Sequence, residues 1–86
     1  MQLLKIGLVN LNPAVGAIHR NLEKMIQVAG ETAEAKCGLV AFTEQVLPGY
    51  PTEDLVQWAG FVTAQFRALR EFAAATGKFS FPTVFT

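Results

Sequence analysis

Residues that bind metals or form disulfides are scarce in this sequence. Its 86 residues include one cysteine and one histidine. A lone cysteine excludes a disulfide within the chain and a cysteine-based zinc site, and a lone histidine has no second imidazole with which to share a metal or a proton relay. We therefore expect no metal site, and the cysteine usage is typical of a reducing compartment, which predicts a cytoplasmic location.

Net charge and long apolar runs are also lacking. Seven basic and seven acidic residues balance to a formal net charge of zero, and neither sign forms a block. Nucleic acid and anionic membranes are therefore not expected as partners. No stretch approaches the roughly 18 apolar residues of a membrane span. Lys5, Gly7 and Asn10 interrupt the apolar residues near the start, so we expect no signal peptide.

Hydrophobic residues are plentiful instead, at 51% of the chain, and their spacing predicts strands alternating with helices. Residues 3–11 alternate with the period of a strand. From Ile18 to Ala33 the apolar residues follow the i, i+4, i+7, i+8 spacing of one helical face. Residues 39–42 are continuously apolar, as in a strand covered on both faces. Two strands joined through a helix are expected to be parallel or neighbouring in one sheet.

The second half of the sequence continues this alternation. After a loop with two prolines, Thr52–Asp54 offers an N-cap and two acidic residues for the start of a second helix. Its apolar face is predicted to follow the helical spacing of Leu55, Trp58, Val62, Phe66, Leu69 and Phe72 or Ala73, with Gly60 as a candidate break. Residues 73–77 are predicted to form its C-terminal end. Residues 81–85 predict a third strand with no turn signal after it, so the chain is expected to end in mid-fold.

Glu44 is the ionisable residue in the most informative place, directly behind the apolar run 38–43. Loops at strand ends are where α/β proteins usually place their chemistry, and a carboxylate there is suited to act as a general base. The alternative is a structural role, in which the carboxylate caps backbone amides of the turn around residues 47–49. Spacing alone leaves both interpretations open.

Other candidate groups favour structural roles. Cys37 is separated from Glu44 by on the order of 20 Å of extended chain and has no local activator, which predicts a small buried or semi-buried thiol. His19 is predicted to be exposed on the helix, and Asn12-Pro13 to form a turn that ends the first strand. The aromatic residues of the second helix lack the interleaved basic residues of a base-stacking surface, so we expect core packing or contact with sequence outside the chain.

Two motifs resemble a known family. Residues 38–44, Gly-Leu-Val-Ala-Phe-Thr-Glu, together with 47–55, Leu-Pro-Gly-Tyr-Pro-Thr-Glu-Asp-Leu, look like the first catalytic motif of the nitrilase, or carbon-nitrogen hydrolase, superfamily. The motif continues as Gly-Tyr-Pro-Thr-Glu-Asp-Leu at residues 49–55. This extension, together with residues 11–16 and 21–23, resembles the N-terminal glutaminase domain of glutamine-dependent NAD synthetases. The resemblance implies an α/β fold in which residues 1–86 are the truncated N-terminal portion of that domain. The implied architecture is a partial α-β-β-α sandwich in β-α-β-α-β order.

The resemblance also implies roles for individual residues. In that family a glutamate acts as general base, a cysteine attacks the amide and a lysine stabilises the tetrahedral intermediate. Glu44 matches the glutamate, and Tyr50 matches a tyrosine at the mouth of the substrate pocket. The family's lysine and cysteine lie downstream of this chain, and neither Lys78 nor Cys37 matches them. We therefore expect the longer parent to hydrolyse glutamine, supplying ammonia for NAD synthesis, and the chain alone to be inactive.

The implied partner is a small amide, glutamine, and the longer parent is expected to be a homo-oligomer. No cofactor is expected for this segment, because ATP and Mg²⁺ are implied only for a separate synthetase domain.

Two departures from the family pattern flank the candidate base: Thr43 stands where the family usually has proline, and Gln45 where it commonly has an apolar residue. Two alternatives remain, another nitrilase-type amidase and a non-catalytic product of a truncated reading frame.

Overall fold

The fold is a parallel three-stranded sheet with two helices. The structure, a computed structural model, describes residues 3–43, 46–50, 55, 58–79 and 83–85. Its elements follow in the order β1 (Ile6–Val9), α1 (Ile18–Glu34), β2 (Leu39–Phe42), α2 (Ala59–Thr76) and β3 (Thr83–Phe85). The three strands pair in the order β1-β2-β3, and both pairings are parallel. The predicted α/β class, the β-α-β-α-β order and the parallel pairing are confirmed.

The two faces of the sheet have different environments. Because successive side chains of a strand point to opposite faces, Val40 and Phe42 share one face of β2, and both are buried in the core with residues of α1 and α2. Ile6 and Leu8 lie on the other face, where 51% and 83% of their surfaces are exposed. Both helices therefore pack on one face of the sheet, and the apolar face on the other side is open.

The core forms where α1 and α2 meet the sheet. Leu22, Met25 and Ala29 are buried along α1, at the spacing that one face of a helix requires. From α2, the Phe72 ring meets the Phe42 ring edge to face, with centroids 5.7 Å apart and an interplanar angle of 85°. Burial of each large apolar side chain contributes about 1.5–3 kcal/mol. The core thus ties both helices to β2.

The first strand is shorter than its sequence pattern predicts. Residues 3–11 alternate, but β1 runs only from Ile6 to Val9. Its register pairs Ile6 with Leu39 and Val9 with Phe42. A strand exists only where a partner supplies the other half of the hydrogen-bond ladder, and the four residues of β2 set that length.

The second helix begins later than predicted, and only part of its predicted face is buried. Thr52–Asp54, the predicted start, lies outside the described residues, and α2 begins at Ala59 after an extended Trp58. Gly60 does not break the helix. Trp58, Phe66 and Leu69, assigned above to the packing face, are exposed, while Ala68 and Phe72 are buried. The small side chain of Ala68 allows a close approach to neighbouring elements that bulky Phe66 or Leu69 would prevent.

Candidate functional site

A pocket lies at the carboxyl ends of β1 and β2. It has a volume of about 360 Å³, which is within the range of small-molecule sites. Its lining residues, among those that the structure describes, come from the segment after β1 and the segment after β2, and they are Asn10, Leu11, Pro13, Thr43 and Tyr50. Ligands of open α/β sheets bind in this position, because the loops leaving parallel strands meet at one edge of the sheet.

The structure places some of the predicted site residues at this pocket and does not describe others. Tyr50 lines the pocket, and 70% of its surface is exposed. Thr43, the departure from the family pattern that precedes the candidate base, lines it too. Glu44 follows Thr43 in the sequence and lies outside the described residues, as does Gln45. The roles of Glu44 and Tyr50 therefore stay predictions.

Two further predictions concern the segment after β1 and the single cysteine. Asn12-Pro13 does follow the end of β1, but Pro13 is also a wall of the pocket, a position that the interpretation as a turn did not include. Cys37 is buried, as predicted, and its sulfur lies 3.5 Å from the point that a Cβ on Gly7 would occupy. Cys37 precedes β2, whereas the pocket follows it, so the thiol and the pocket lie at opposite ends of the strand.

The single histidine lies in a different cleft. His19 is exposed, as predicted, and lines an open cleft of about 220 Å³ between α1 and α2. Arg67 and Glu71 contribute the other charged side chains of that cleft. Across the part of the chain that the structure describes, no group of three His, Cys, Asp or Glu side chains could hold a metal ion. Neither helix, within its described residues, combines the length and apolar character needed to cross a membrane.

A buried asparagine joins the two segments that line the pocket. Asn21 is 2% exposed, and it is the one buried polar or charged residue among those described. Its Oδ1 accepts a hydrogen bond from the Ala14 amide at 2.9 Å. Its Nδ2 donates to the carbonyl oxygens of Ala14 and Leu47, both at 2.8 Å. One side chain in α1 thus bonds to the segment after β1 and to the segment after β2.

Two glycines allow these segments to approach each other closely. Gly16 and Gly49 both have positive φ, 78° and 81°, a conformation that glycine adopts without steric cost. The Gly16 amide donates to the Pro48 carbonyl at 2.8 Å. A Cβ on Gly49 would lie 2.7 Å from the Cα of Val15. The backbones are therefore in direct contact.

Asn21 is a residue that reasoning from the sequence left without a role. A signal was available, because Asn21 lies three residues after Ile18 and four before Met25, on the buried face of α1. A polar side chain on an apolar helical face requires a hydrogen-bond partner. The partners could not be identified beforehand, since they are backbone groups of two segments that only the fold brings together.

The fold and the pocket define a parallel α/β unit with a candidate ligand site at its strand ends. Similarity to known proteins makes this more specific. The glutamine-dependent NAD(+) synthetase of Thermotoga maritima is 36% identical over 76 residues, which are 88% of this chain and 13% of that protein. The enzyme of the same name from Rhodobacter capsulatus is 39% identical over 70 residues, 81% of this chain and 13% of that protein. No family model matches the chain.

The chain is therefore similar, over most of its length, to a short segment of glutamine-dependent NAD(+) synthetases. The resemblance indicated by the motifs at 38–44 and 47–55 is confirmed at this level. The chain spans about 13% of the length of these curated relatives.

Proposed function

We propose that this chain supplies the general base and one wall of the substrate pocket to a nitrilase-type glutaminase, whose ammonia is used for NAD synthesis. The observation that carries the proposal is the similarity to glutamine-dependent NAD(+) synthetases over 88% of the chain. The position of the pocket supports it, because Thr43 lines the pocket and Glu44 is the next residue in the sequence.

The proposed chemistry assigns the proton transfers to Glu44. Its carboxylate takes the thiol proton from a cysteine outside these 86 residues, and the thiolate adds to the amide carbon of glutamine. A lysine, also outside this chain, stabilises the resulting oxyanion. The carbon–nitrogen bond then breaks, Glu44 returns the proton to the departing nitrogen, and water hydrolyses the thioester to glutamate. Ammonia is the product that a synthetase domain uses.

Tyr50 is the proposed substrate contact within the chain. Its side chain is largely exposed at the pocket, with Asn10 and Thr43 on the same lining. Phenol, amide and hydroxyl groups can donate and accept hydrogen bonds, as the polar ends of glutamine require. The pocket is open and small enough to suit an amino acid amide. We propose that Tyr50 borders the entrance through which glutamine reaches the base.

The complete nitrilase sandwich is part of the proposal. In an α-β-β-α sandwich each sheet has helices on one face and the second sheet on the other. The sheet here has α1 and α2 on one face and apolar Ile6 and Leu8 exposed on the opposite face. An exposed apolar face of this kind is suited to a second sheet. A homo-oligomeric parent, a cytoplasmic location, and ATP and Mg²⁺ bound by a separate synthetase domain belong to the same proposal.

A segment exchange tests the proposal. The 76 matched residues of the Thermotoga maritima enzyme are replaced by the corresponding residues of this chain, and NAD formation is measured with glutamine or with ammonia as nitrogen donor. We expect the exchanged enzyme to use both donors. The isolated chain is expected to release no ammonia from glutamine. An exchanged enzyme that uses ammonia but not glutamine would contradict the proposal.

Glu44→Gln in the exchanged enzyme tests the general base, and Glu31→Gln is the matched control because Glu31 is exposed on α1. General-base catalysis contributes about 10²–10⁴-fold, so Glu44→Gln is expected to lower glutamine-dependent turnover by about that factor. Ammonia-dependent turnover should persist in both variants, which verifies the synthetase activity, and an unchanged thermal denaturation midpoint verifies the fold of the exchanged segment. Undiminished glutamine-dependent turnover in Glu44→Gln would remove this residue from the mechanism.

A further inference from the structure

The bonds of Asn21 join two segments that line one pocket. The segment after β1 contributes Asn10, Leu11 and Pro13, and the segment after β2 contributes Thr43 and Tyr50. Neither segment belongs to the sheet ladder, which ends at Val9 and Phe42. Their relative position therefore depends on other contacts.

Those contacts lie next to the pocket residues in the sequence. Asn21 bonds to both backbone groups of Ala14, which follows Pro13, and to the carbonyl of Leu47, three residues before Tyr50. The Gly16 amide bonds to the carbonyl of Pro48. A change at Asn21 is thus transmitted through very few backbone bonds to both sides of the pocket.

We propose that Asn21 is a positioning residue for amide hydrolysis, which fixes the segment after β2 against the segment after β1. This inference rests on the proposed glutaminase function. The side-chain hydrogen bonds of Asn21 go to the backbone of Ala14 and Leu47, which are not among the described lining residues of the pocket, so Asn21 acts through that backbone. Thr43 and Val46 are the described residues on either side of Glu44 and Gln45 in the sequence, so the bonded segment also contains the candidate base.

The asparagine amide suits this junction because it donates and accepts at the same time. An aspartate of nearly the same shape keeps the acceptor for the Ala14 amide but loses both donors. It would also place negative charge against two carbonyl oxygens. Asn21→Asp therefore removes the two donated hydrogen bonds and keeps the accepted one, whereas Asn21→Ala removes all three. Leu22→Ala is the matched control, since Leu22 is the adjacent buried residue of α1 and makes none of these bonds.

Amide hydrogen exchange on the 86-residue chain tests the junction directly. In Asn21→Asp at neutral pH we expect the Gly16 amide to exchange about tenfold faster or more, because its acceptor, Pro48, follows the released Leu47. The Gly38 amide, which donates to Lys5 in the sheet region, should change much less. Leu22→Ala should accelerate both amides to a similar degree. Equal acceleration of both amides in Asn21→Asp would overturn the inference.

Kinetics of the exchanged enzyme test the catalytic consequence. A displacement of about 1 Å can lower a rate on the order of 100-fold, so Asn21→Asp is expected to lower glutamine-dependent kcat/KM by about 10-fold to 100-fold. The ratio of glutamine-dependent to ammonia-dependent turnover should fall by the same factor. Ammonia-dependent turnover belongs to the separate synthetase domain, so the fold of the exchanged segment is verified by its thermal denaturation midpoint. Below that midpoint Leu22→Ala should leave the ratio unchanged. A ratio unchanged by Asn21→Asp would also overturn the inference.

The two measurements distinguish failure of this inference from failure of the proposed function. If the unsubstituted exchanged enzyme makes no NAD from glutamine, the proposed function is wrong, whatever Asn21 does. If it does so and the Asn21 variants leave the ratio unchanged, only the positioning role is wrong. A variant that does not fold as an isolated chain is measured in the exchanged enzyme, where the thermal denaturation midpoint verifies its fold and the ratio reports its effect on amide hydrolysis.

Discussion

At the scale of single residues, Gly49 and Asn21 constrain the pocket in complementary ways. Gly49 excludes a side chain, because a Cβ there would lie 2.8 Å from the Ala14 carbonyl oxygen. Asn21 requires one, because the Ala14 and Leu47 backbone groups depend on its amide. Steric exclusion and hydrogen bonding thus act on the same pair of segments.

Gly49→Ala is expected to destabilise the chain, and Gly60→Ala is the matched control. Positive φ at Gly49 and the 2.7 Å approach to Val15 make an added methyl group costly, by more than about 1 kcal/mol. Gly60 lies in α2 with nothing within 4 Å, so alanine there should stabilise by about 0.5–1 kcal/mol. Urea denaturation measures both changes. Equal midpoints for the two variants would contradict the close contact at Gly49.

Asn21→Asp should have pH-dependent stability. Burial beside the Ala14 and Leu47 carbonyl oxygens raises the pKa of the introduced carboxyl group in the folded state above its unfolded value of about 3.9. The folded state then binds more protons, so stability relative to the unsubstituted chain is greatest below the unfolded pKa. It is lost as the pH rises through the folded pKa. Urea midpoints between pH 4 and 7 measure this trend, and Asn21→Ala should show no such dependence.

At the scale of secondary structure, the elements with the strongest patterns were predictable. The apolar run at 39–42 became β2, and the amphipathic pattern after Gly16 became α1. The length of β1 could not be predicted, because its ends depend on how many residues β2 offers for pairing. Periodicity reports which residues are apolar, but hydrogen-bond partners come from distant parts of the chain.

The buried face of α2 was predicted only in part, correctly at Phe72 and wrongly at Trp58, Phe66 and Leu69, for a related physical reason. This helix carries apolar residues on more than one stripe, so its pattern does not single out one packing face. Packing against α1 and Phe42 selected Ala68 and Phe72 and left Phe66 exposed. For the site, the location of Tyr50 at a strand end was foreseeable from the motif. The position of Pro13 in the pocket wall and the hydrogen bonds of Asn21 could not be foreseen, because both depend on the tertiary structure.

Phe72→Ala and Phe66→Ala provide a matched test of that selection on one helix. Phe72 is 3% exposed and packs edge-on against Phe42, whereas Phe66 is 57% exposed. Removing the buried ring should cost about 3–5 kcal/mol, and removing the exposed ring about 0.5 kcal/mol or less. Chemical denaturation followed by circular dichroism measures both. A larger loss for Phe66→Ala would contradict the burial of Phe72 and the exposure of Phe66.

At the scale of the whole molecule, the sheet has one covered and one open face. Leu8 and Ile6 are exposed beside Leu39 and Ala41, which occupy the same face of β2. Exposed apolar area of this kind is a common site of association. The effect of substituting these residues should therefore depend on whether another part of a larger protein covers this face.

Leu8→Gln is expected to act differently in the isolated chain and in the exchanged enzyme. Leu8 is 83% exposed, so the substitution should change the unfolding free energy of the isolated chain by about 0.5 kcal/mol or less. In a complete sandwich the same position is buried, and an unpaired amide there should reduce the yield of folded enzyme. Soluble yield and the thermal denaturation midpoint of the exchanged enzyme measure the second effect. Equal tolerance in both settings would count against the proposed second sheet.

The strand order has a consequence for synthesis on the ribosome. The strands occur in the sheet in the order in which they occur in the sequence, β1-β2-β3. β2 therefore pairs with β1, and β3 with β2, so in each pair one partner has already been translated when the other emerges. N-terminal parts of proteins commonly fold first during synthesis, so the pairing of β1 with β2 can form before β3 has been made, and β2 can then serve as the template on which β3 pairs.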